Sequence, residues 1–257
     1  MTYIEFIGPP GAGKSSLHKK ITKKSNIYGG TPEKASERAF LDNSIFDTNI
    51  PKHYQILYQF FPTPLKKIFS KKVLRNYLSP FVLTDFMLEH QEFLEVLKDI
   101  LKKEYYKKER VLQIILKKSE NYQLGISTIR ENEKLLLDEG FAMGAAIILW
   151  LSKTKDFSFQ NYFKTIQKYF NAVPIPKTLI YVNCPPKLCI KRQKNRSNVI
   201  VEQNWGEMLN LQIKHQKACE KVIKYLKKEK EVQIINIQNE GEIEENKYKL
   251  NEVIQNL

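Results

Sequence analysis

Tyr3-Ile4-Glu5-Phe6-Ile7-Gly8-Pro9-Pro10-Gly11-Ala12-Gly13-Lys14-Ser15-Ser16-Leu17 is the stretch that decides the fold. A short apolar run leads into the spacing Gly-x-x-x-x-Gly-Lys-Ser, and a segment that reads as helix follows at once. Phosphate groups concentrate negative charge, so a loop wrapped around them must turn several backbone N–H groups inward. Glycine supplies the conformational freedom and the close approach that this requires. The helix that begins where the loop ends adds the positive end of its dipole. Gly8, Gly11, Ala12, Gly13, Lys14, Ser15 and Ser16 are therefore the candidate nucleotide-binding residues. Lys14 reaches the β- and γ-phosphates as a point charge, and the Ser15 hydroxyl joins the shell of a Mg²⁺ ion. A plain Gly/Pro turn would not need Lys and Ser side by side at its end. The motif predicts binding of a nucleoside triphosphate.

Outward from this loop, the chain of 257 residues suits one domain carrying an insertion better than two equal halves. The longest apolar run, Ala145 to Leu151, is too short for a bilayer and reads as a buried helix segment. The N-terminus enters a strand directly and has no charged region of a signal peptide, and Cys184, Cys189 and Cys219 have neither disulfide-framework nor zinc spacing. A cytoplasmic protein with packed thiols is the expectation. The net charge of +14 suggests nucleic acid, but the lysines are spread along helix surfaces beside Glu, which reads as solvated faces. Nucleic acid is accordingly disfavoured as a partner and no membrane span is expected. The six arginines, Arg38, Arg75, Arg110, Arg130, Arg192 and Arg196, are scarce enough to suggest use of their fork geometry.

Leu17 and Ile21 fall one turn apart on the first helix, which Ser25-Asn26 and Gly29-Gly30 are expected to close. Thr31 and Pro32 then read as the cap and first residue of a second helix. The second strand has no clear position; Ser44 to Asp47 is a poor candidate. Residues 50–132 change character, with Phe86, His90, Phe93, Leu94, Leu97, Ile100 and Leu101 at the spacing of a buried helix face and Val111, Ile114, Ile115 and Lys118 repeating it. They predict an all-helical insertion, too long for an ordinary connection, within a core formed by residues 1–49 and 133–257. His53 and His90 read as packed or surface residues.

Lys134 to Phe141 runs three leucines into Asp138-Glu139-Gly140. That pattern predicts a central parallel strand ending at the ligand edge of the sheet, with Asp138 a second metal-site residue beside Ser15 and Glu139 next to it a candidate proton acceptor or supporting partner. A helix over Ala142 to Leu151, another around Phe159 to Phe170, a strand at Thr178–Asn183 and a helix from Lys187 follow. The last of these places Arg192 and Arg196 four apart on one face. A long helix with Trp205 to Leu226, a strand at Val232–Ile237 and a helix from Asn246 to Gln255 complete the chain. Alternation of strand and helix predicts an α/β fold, a parallel sheet covered by helices on both faces, with the large all-helical insertion.

No Asn-Lys-x-Asp stretch for guanine and no Leu-Ser-Gly-Gly-Gln stretch occurs, which argues against a GTPase switch and an ABC-type ATPase. The sequence resembles the P-loop kinase group of thymidylate, adenylate and deoxynucleoside kinases. The resemblance rests on Gly8 to Ser16, Asp138-Glu139-Gly140, the strand through Tyr181 to Pro185-Pro186, and the Arg192/Arg196 pair. It covers the sheet core and the arginine segment and leaves the insertion uncovered. It implies an ATP-dependent, Mg²⁺-dependent phosphotransferase acting on a small-molecule hydroxyl or phosphate, with Lys14, Asp138, Glu139 and the lid arginines Arg192 and Arg196 as catalytic residues. The family often keeps an acid or an arginine at the end of the second strand, where this sequence has no clean match; Glu33, Glu37, Arg38 and Asp42 lie in that region, unranked, and Arg38 and Arg130 are the candidate substrate residues. The insertion would then form the acceptor pocket. An ATPase acting with nucleic acid or a protein partner, and a sulfotransferase-like protein, are the competing readings.

Overall fold

The computed structural model describes residues 3–22, 27–28, 31–42, 52–69, 75–102, 108–152, 159–195 and 205–240. Five parallel strands form one sheet in the order β2-β3-β1-β4-β5, with β1 Tyr3–Ile7, β2 Ile27–Tyr28, β3 Lys134–Leu137, β4 Thr178–Asn183 and β5 Gln233–Gln238. The central strand β1 is buried along its whole length, as a strand covered on both faces must be.

Side-chain alternation along the strands divides the core into two faces. Ile4 and Phe6 of β1, Leu136 of β3, and Ile180 and Val182 of β4 face one way. They pack on Leu17 and Ile21 of helix α1 (Lys14–Ile21) and on Cys189 of α10 (Pro186–Lys194). Ile7, Leu179 and Tyr181 face the other way, against α8 (Phe141–Leu151) and α11 (Trp205–Glu229). Helix α8 is buried on nearly every side, which is what its continuous apolar sequence requires. Tyr3, Leu135 and Leu137 meet Ala35 and Ala39 of α2 (Pro32–Leu41), Leu78 and Val82 of α5 (Arg75–Glu89) and Leu124 of α7 (Lys108–Thr128). Between α2 and β3 the described elements are all helices: α3 Lys52–Gln59, α4 Thr63–Phe69, α5, α6 Glu92–Lys102 and α7. Helix α9 spans Phe159–Asn171.

Several boundaries differ from the sequence expectation, each for a local reason. Helix α1 stops at Ile21, where the Thr22 hydroxyl donates to the His18 carbonyl at 2.9 Å; Ser25, Asn26, Gly29 and Gly30 lie outside the described residues. The second strand is the two-residue Ile27–Tyr28, paired with Lys134 and Leu135; Ser44 to Asp47 is not described. The apolar run around Phe86 to Leu101 forms two helices, α5 and α6. The chain breaks between Glu89 and Glu92, where the Phe93 N–H donates to the His90 carbonyl at 2.9 Å. Leu94, expected on the buried face, is exposed. Thr31 does cap α2, its hydroxyl accepting from the Lys34 N–H. The expected final helix, Asn246 to Gln255, lies outside the described residues. No described helix is long and apolar enough to cross a membrane.

Candidate active site

The phosphate loop joins β1 to α1 with Gly11 and Gly13 at φ of 82° and 100°, a region that side-chain-bearing residues rarely enter. Gly13 is the N-cap of α1, and its carbonyl accepts from the Ser16 and Leu17 N–H groups, which starts the helix beneath the loop. A Cβ on Gly11 would strike the Cys189 carbonyl of α10, and one on Gly13 would strike the Asn239 amide. The loop is thus held from outside by elements distant in sequence. Asn239, at the end of β5, donates through Nδ2 to the Ala12 carbonyl at 2.5 Å. Gln193 of α10 and Gln212 of α11 donate to the Pro10 carbonyl at 3.0 and 2.8 Å.

Lys14 is buried, with its Nζ donating to the Gly8 carbonyl at 2.7 Å and the Pro9 carbonyl at 3.2 Å, and lying 3.6 Å from Glu139 Oε1. Glu139 also receives Lys118 Nζ of α7 at 2.9 Å. Burial works to raise the Glu139 carboxyl, but the ammonium groups of Lys118 and Lys14 outweigh it and hold its pKa at about 2. Glu139 is therefore a fixed anion between two lysines. Asp138 lies at the tip of β3, and its Oδ1 is buried with no hydrogen-bond partner among the described residues.

Both carboxylates are aimed by a third, Glu5. It projects from the middle of β1 toward α8, fully buried, and accepts four hydrogen bonds. Oε1 takes the Gly140 and Met143 N–H groups at 2.8 and 2.9 Å; Oε2 takes the Tyr3 hydroxyl at 2.6 Å and the Ala142 N–H at 3.1 Å. A helix start normally leaves such amides without partners, and here a carboxylate from another strand satisfies them. Burial raises the Glu5 carboxyl above its ordinary range against the pull of the Tyr3 hydroxyl and these amides. The Asp138–Glu139 turn is consequently pinned at both ends, by β3 before it and by Glu5 just after it.

Ser15, Asp138 and Glu139 line one cleft of about 870 Å³. Its other walls come from α7 (Ile114, Lys118), α8 (Met143, Ile147, Trp150), α10 (Gln193) and α11 (Met208, Leu211, His215). The residues present fit a hard divalent cation. Ser15 and Asp138 offer oxygen donors on the same cleft, and Asp138 keeps an unpartnered buried oxygen. Mg²⁺ is commonly held by one or two protein oxygens together with water and phosphate. Among the described residues no three of His, Cys, Asp and Glu gather into an all-protein metal cage.

The remaining candidates sit elsewhere. Arg192 Nη1 donates to the Asn239 carbonyl at 3.1 Å and contacts Cys184 Sγ at 3.4 Å, so it braces the residue that braces the loop. Arg196 lies outside the described residues. Arg38 makes a bidentate fork to Glu133 at 2.6 and 2.8 Å and reaches the Thr128 carbonyl, and the Arg130 N–H donates to the same Glu133. Glu133 precedes β3, at the end of that strand opposite Asp138, and neither arginine lines the cleft. His90 rests against the Phe86 ring. The three cysteines are buried and free.

Sequence reasoning missed Glu5, Lys118, His215, Asn239, Gln193 and Gln212. Two of them carried a signal: Glu5 is the one charge within an otherwise apolar strand, and Lys118 occupies a core position of a helical stripe. A charge in such a place calls for a buried partner. The other four become visible only when α10, α11 and the end of β5 close over the loop.

A parallel sheet with a glycine loop between its central strand and a covering helix, and an acid at the tip of the adjacent strand, defines the α/β phosphate-loop kinase fold. A structure of deoxyadenosine kinase from M. mycoides with bound dCTP matches over 100% of both chains, at 13% sequence identity and a TM-score of 0.50. Another structure of that enzyme, with dCMP and a flexible dCDP bound, matches at 15% identity and a TM-score of 0.47, again over 100% of both chains. At such identity the first likeness establishes the shared fold. No protein-family model matches the chain, and no curated protein matches it by sequence.

Proposed function

We propose that this chain is a kinase that transfers the γ-phosphoryl group of ATP, with Mg²⁺, to a hydroxyl or phosphate of a small nucleoside-like molecule. The observation that carries the reading is the meeting of Ser15 with Asp138 and Glu139 on one cleft, with Lys14 3.6 Å from Glu139. The fold shared with a deoxyadenosine kinase supports a nucleoside-like acceptor.

Phosphoryl transfer demands little covalent chemistry from the protein and depends on positioning and charge. The loop amides and the α1 N-terminus hold the phosphates, and Lys14 turns from the Gly8 carbonyl to the β- and γ-oxygens. Ser15 and Asp138 would hold Mg²⁺, which would supply positive charge to offset the charge on the transferring phosphates. Glu139, with its pKa at about 2, is a poor proton acceptor; it keeps Lys14 and Lys118 aimed at the reaction centre. The Asp138 carboxylate is the group left to orient an acceptor hydroxyl. Arg192 steadies the loop through Asn239, and Arg196 completes the proposal as the lid cation. Within residues 50–132, helix α7 contributes part of the acceptor side of the cleft through Ile114.

The test is Lys14→Ala. The variant keeps its far-ultraviolet circular dichroism spectrum but loses both ATP-dependent phosphorylation of nucleoside probes and the thermal stabilisation conferred by Mg·ATP on the wild type. Full activity in this variant refutes the assignment of the donor site.

A further inference from the structure

One wall of the cleft differs from the phosphate end in character. Trp150 of α8 and His215 of α11 pack ring on ring, with centroids 3.6 Å apart and planes inclined at 41°. The same two helices also line the cleft with apolar Met143, Ile147, Met208 and Leu211, beside Gln212, whose side chain is tied to the Pro10 carbonyl. His215 is 7% exposed, and its Nε2 is buried with no hydrogen-bond partner among the described residues. Burial first, and the Lys14 ammonium second, hold its pKa down at about 3, against the opposite pull of Glu139, so the ring is a neutral imidazole at pH 7.

A neutral imidazole nitrogen left unpaired in an apolar wall is costly unless something fills its valence. The reaction centre lies close by, since Lys14 and Glu139 are the charges that His215 feels most. We propose that the His215–Trp150 ring pair is the acceptor-recognition wall, with His215 the specificity-determining residue that hydrogen-bonds the edge of a flat, mostly apolar ring of the acceptor. Hydrogen bonding to the ring requires that Nε2 turn to the cleft face, a rotation about the soft terminal torsion of His215. Met143 and Met208, unbranched and pliable, let the wall close on the ring that lies there. An uncharged nitrogen in a dry wall discriminates strongly, because an acceptor without the matching edge atom leaves it unpaired. The proposal deepens the kinase reading and rests on it for the statement that the bound ring belongs to the acceptor.

The chain has two tryptophans, so Trp205→Phe leaves Trp150 as the sole indole reporter. In that background, 2′-deoxyadenosine and benzimidazole 2′-deoxyriboside, which keeps a fused bicycle but lacks the six-membered ring's edge nitrogens and amino group, are titrated against Trp150 emission. Each is also assayed as a phosphoryl acceptor. Deoxyadenosine is expected to quench saturably and to bind about tenfold or more tighter than the benzimidazole analogue. His215→Phe, which keeps the ring pair, is expected to erase that preference with the KM for ATP unchanged, and His215→Gln to restore part of it. No Trp150 response to either probe, or a preference that survives in His215→Phe, overturns the proposal. Specific binding with the expected His215 dependence but no transfer to either probe or to 2′-deoxyadenosine 5′-monophosphate upholds the wall as a ring-binding site and refutes the kinase reading alone.

Discussion

Replacing Glu5 by Gln keeps the size of the side chain and removes its charge, so it isolates what the buried carboxylate does. The Gln carbonyl takes the place of Oε1 and goes on accepting from Gly140 and Met143, at 2.8 and 2.9 Å in the wild type. The amide NH₂ then occupies the Oε2 position, facing two groups that were donors, the Tyr3 hydroxyl and the Ala142 N–H. Tyr3 can rotate its hydroxyl and accept. Ala142 cannot, and its N–H is left buried against another donor, which costs about 1–3 kcal/mol. Losing a negative charge at the start of α8 costs about 0.3–2 kcal/mol more, and relief from burying that charge offsets part of the sum. A net loss of about 2 kcal/mol is expected. For a chain of this size that lowers Tm by about 4–8 °C. Urea unfolding at pH 7, followed by circular dichroism, measures it directly. The double variant Tyr3→Phe/Glu5→Gln should lose more than the two single variants together, because the NH₂ then has no acceptor at all. A Glu5→Gln stability equal to wild type within about 0.5 kcal/mol refutes the account of Glu5 as an ionised cap.

Other consequences can be tested on the same protein. His215 titrates at about 3 when folded and near 6.5 when unfolded, so the unfolded chain binds more protons between these values and acidification destabilises the fold. Between pH 7 and pH 5 the wild type should lose about 2 kcal/mol relative to His215→Phe, read from paired urea titrations. Glu139, depressed to about 2 chiefly by Lys118 and then Lys14 against the opposing effect of burial, adds stability above its unfolded value that disappears as pH falls through about 4.5 toward 2. Lys118→Met should leave Glu139 to bind Lys14 alone, and steady-state kinetics should then show a raised KM for ATP. Asn239→Ala removes a fully buried donor and orphans the Ala12 carbonyl, costing about 1–3 kcal/mol, and differential scanning fluorimetry should record a smaller Mg·ATP shift.

Much of the proposed donor site was legible in the chain itself, because it is local. Gly11, Gly13, Lys14 and Ser15 occupy eight consecutive positions with their neighbours, and strand, loop and helix must follow one another directly for the loop amides to converge. The β3 and β4 strands were equally readable, since a strand buried on both faces needs an unbroken apolar run. The two-residue β2 left no such trace, and the break between α5 and α6 was hidden inside a continuing apolar pattern.

Sequence by itself determined the strand–glycine loop–helix start and the β3 and β4 strands, since these follow from backbone conformation and short-range spacing. Tertiary structure alone decided which groups meet: Glu139 with Lys14 and Lys118, Glu5 with the start of α8, Asn239 with Ala12, Arg38 with Glu133, and His215 with Trp150. Those pairs are separated by as many as 227 residues, and a buried polar group reveals its purpose only through the partner that folding brings to it.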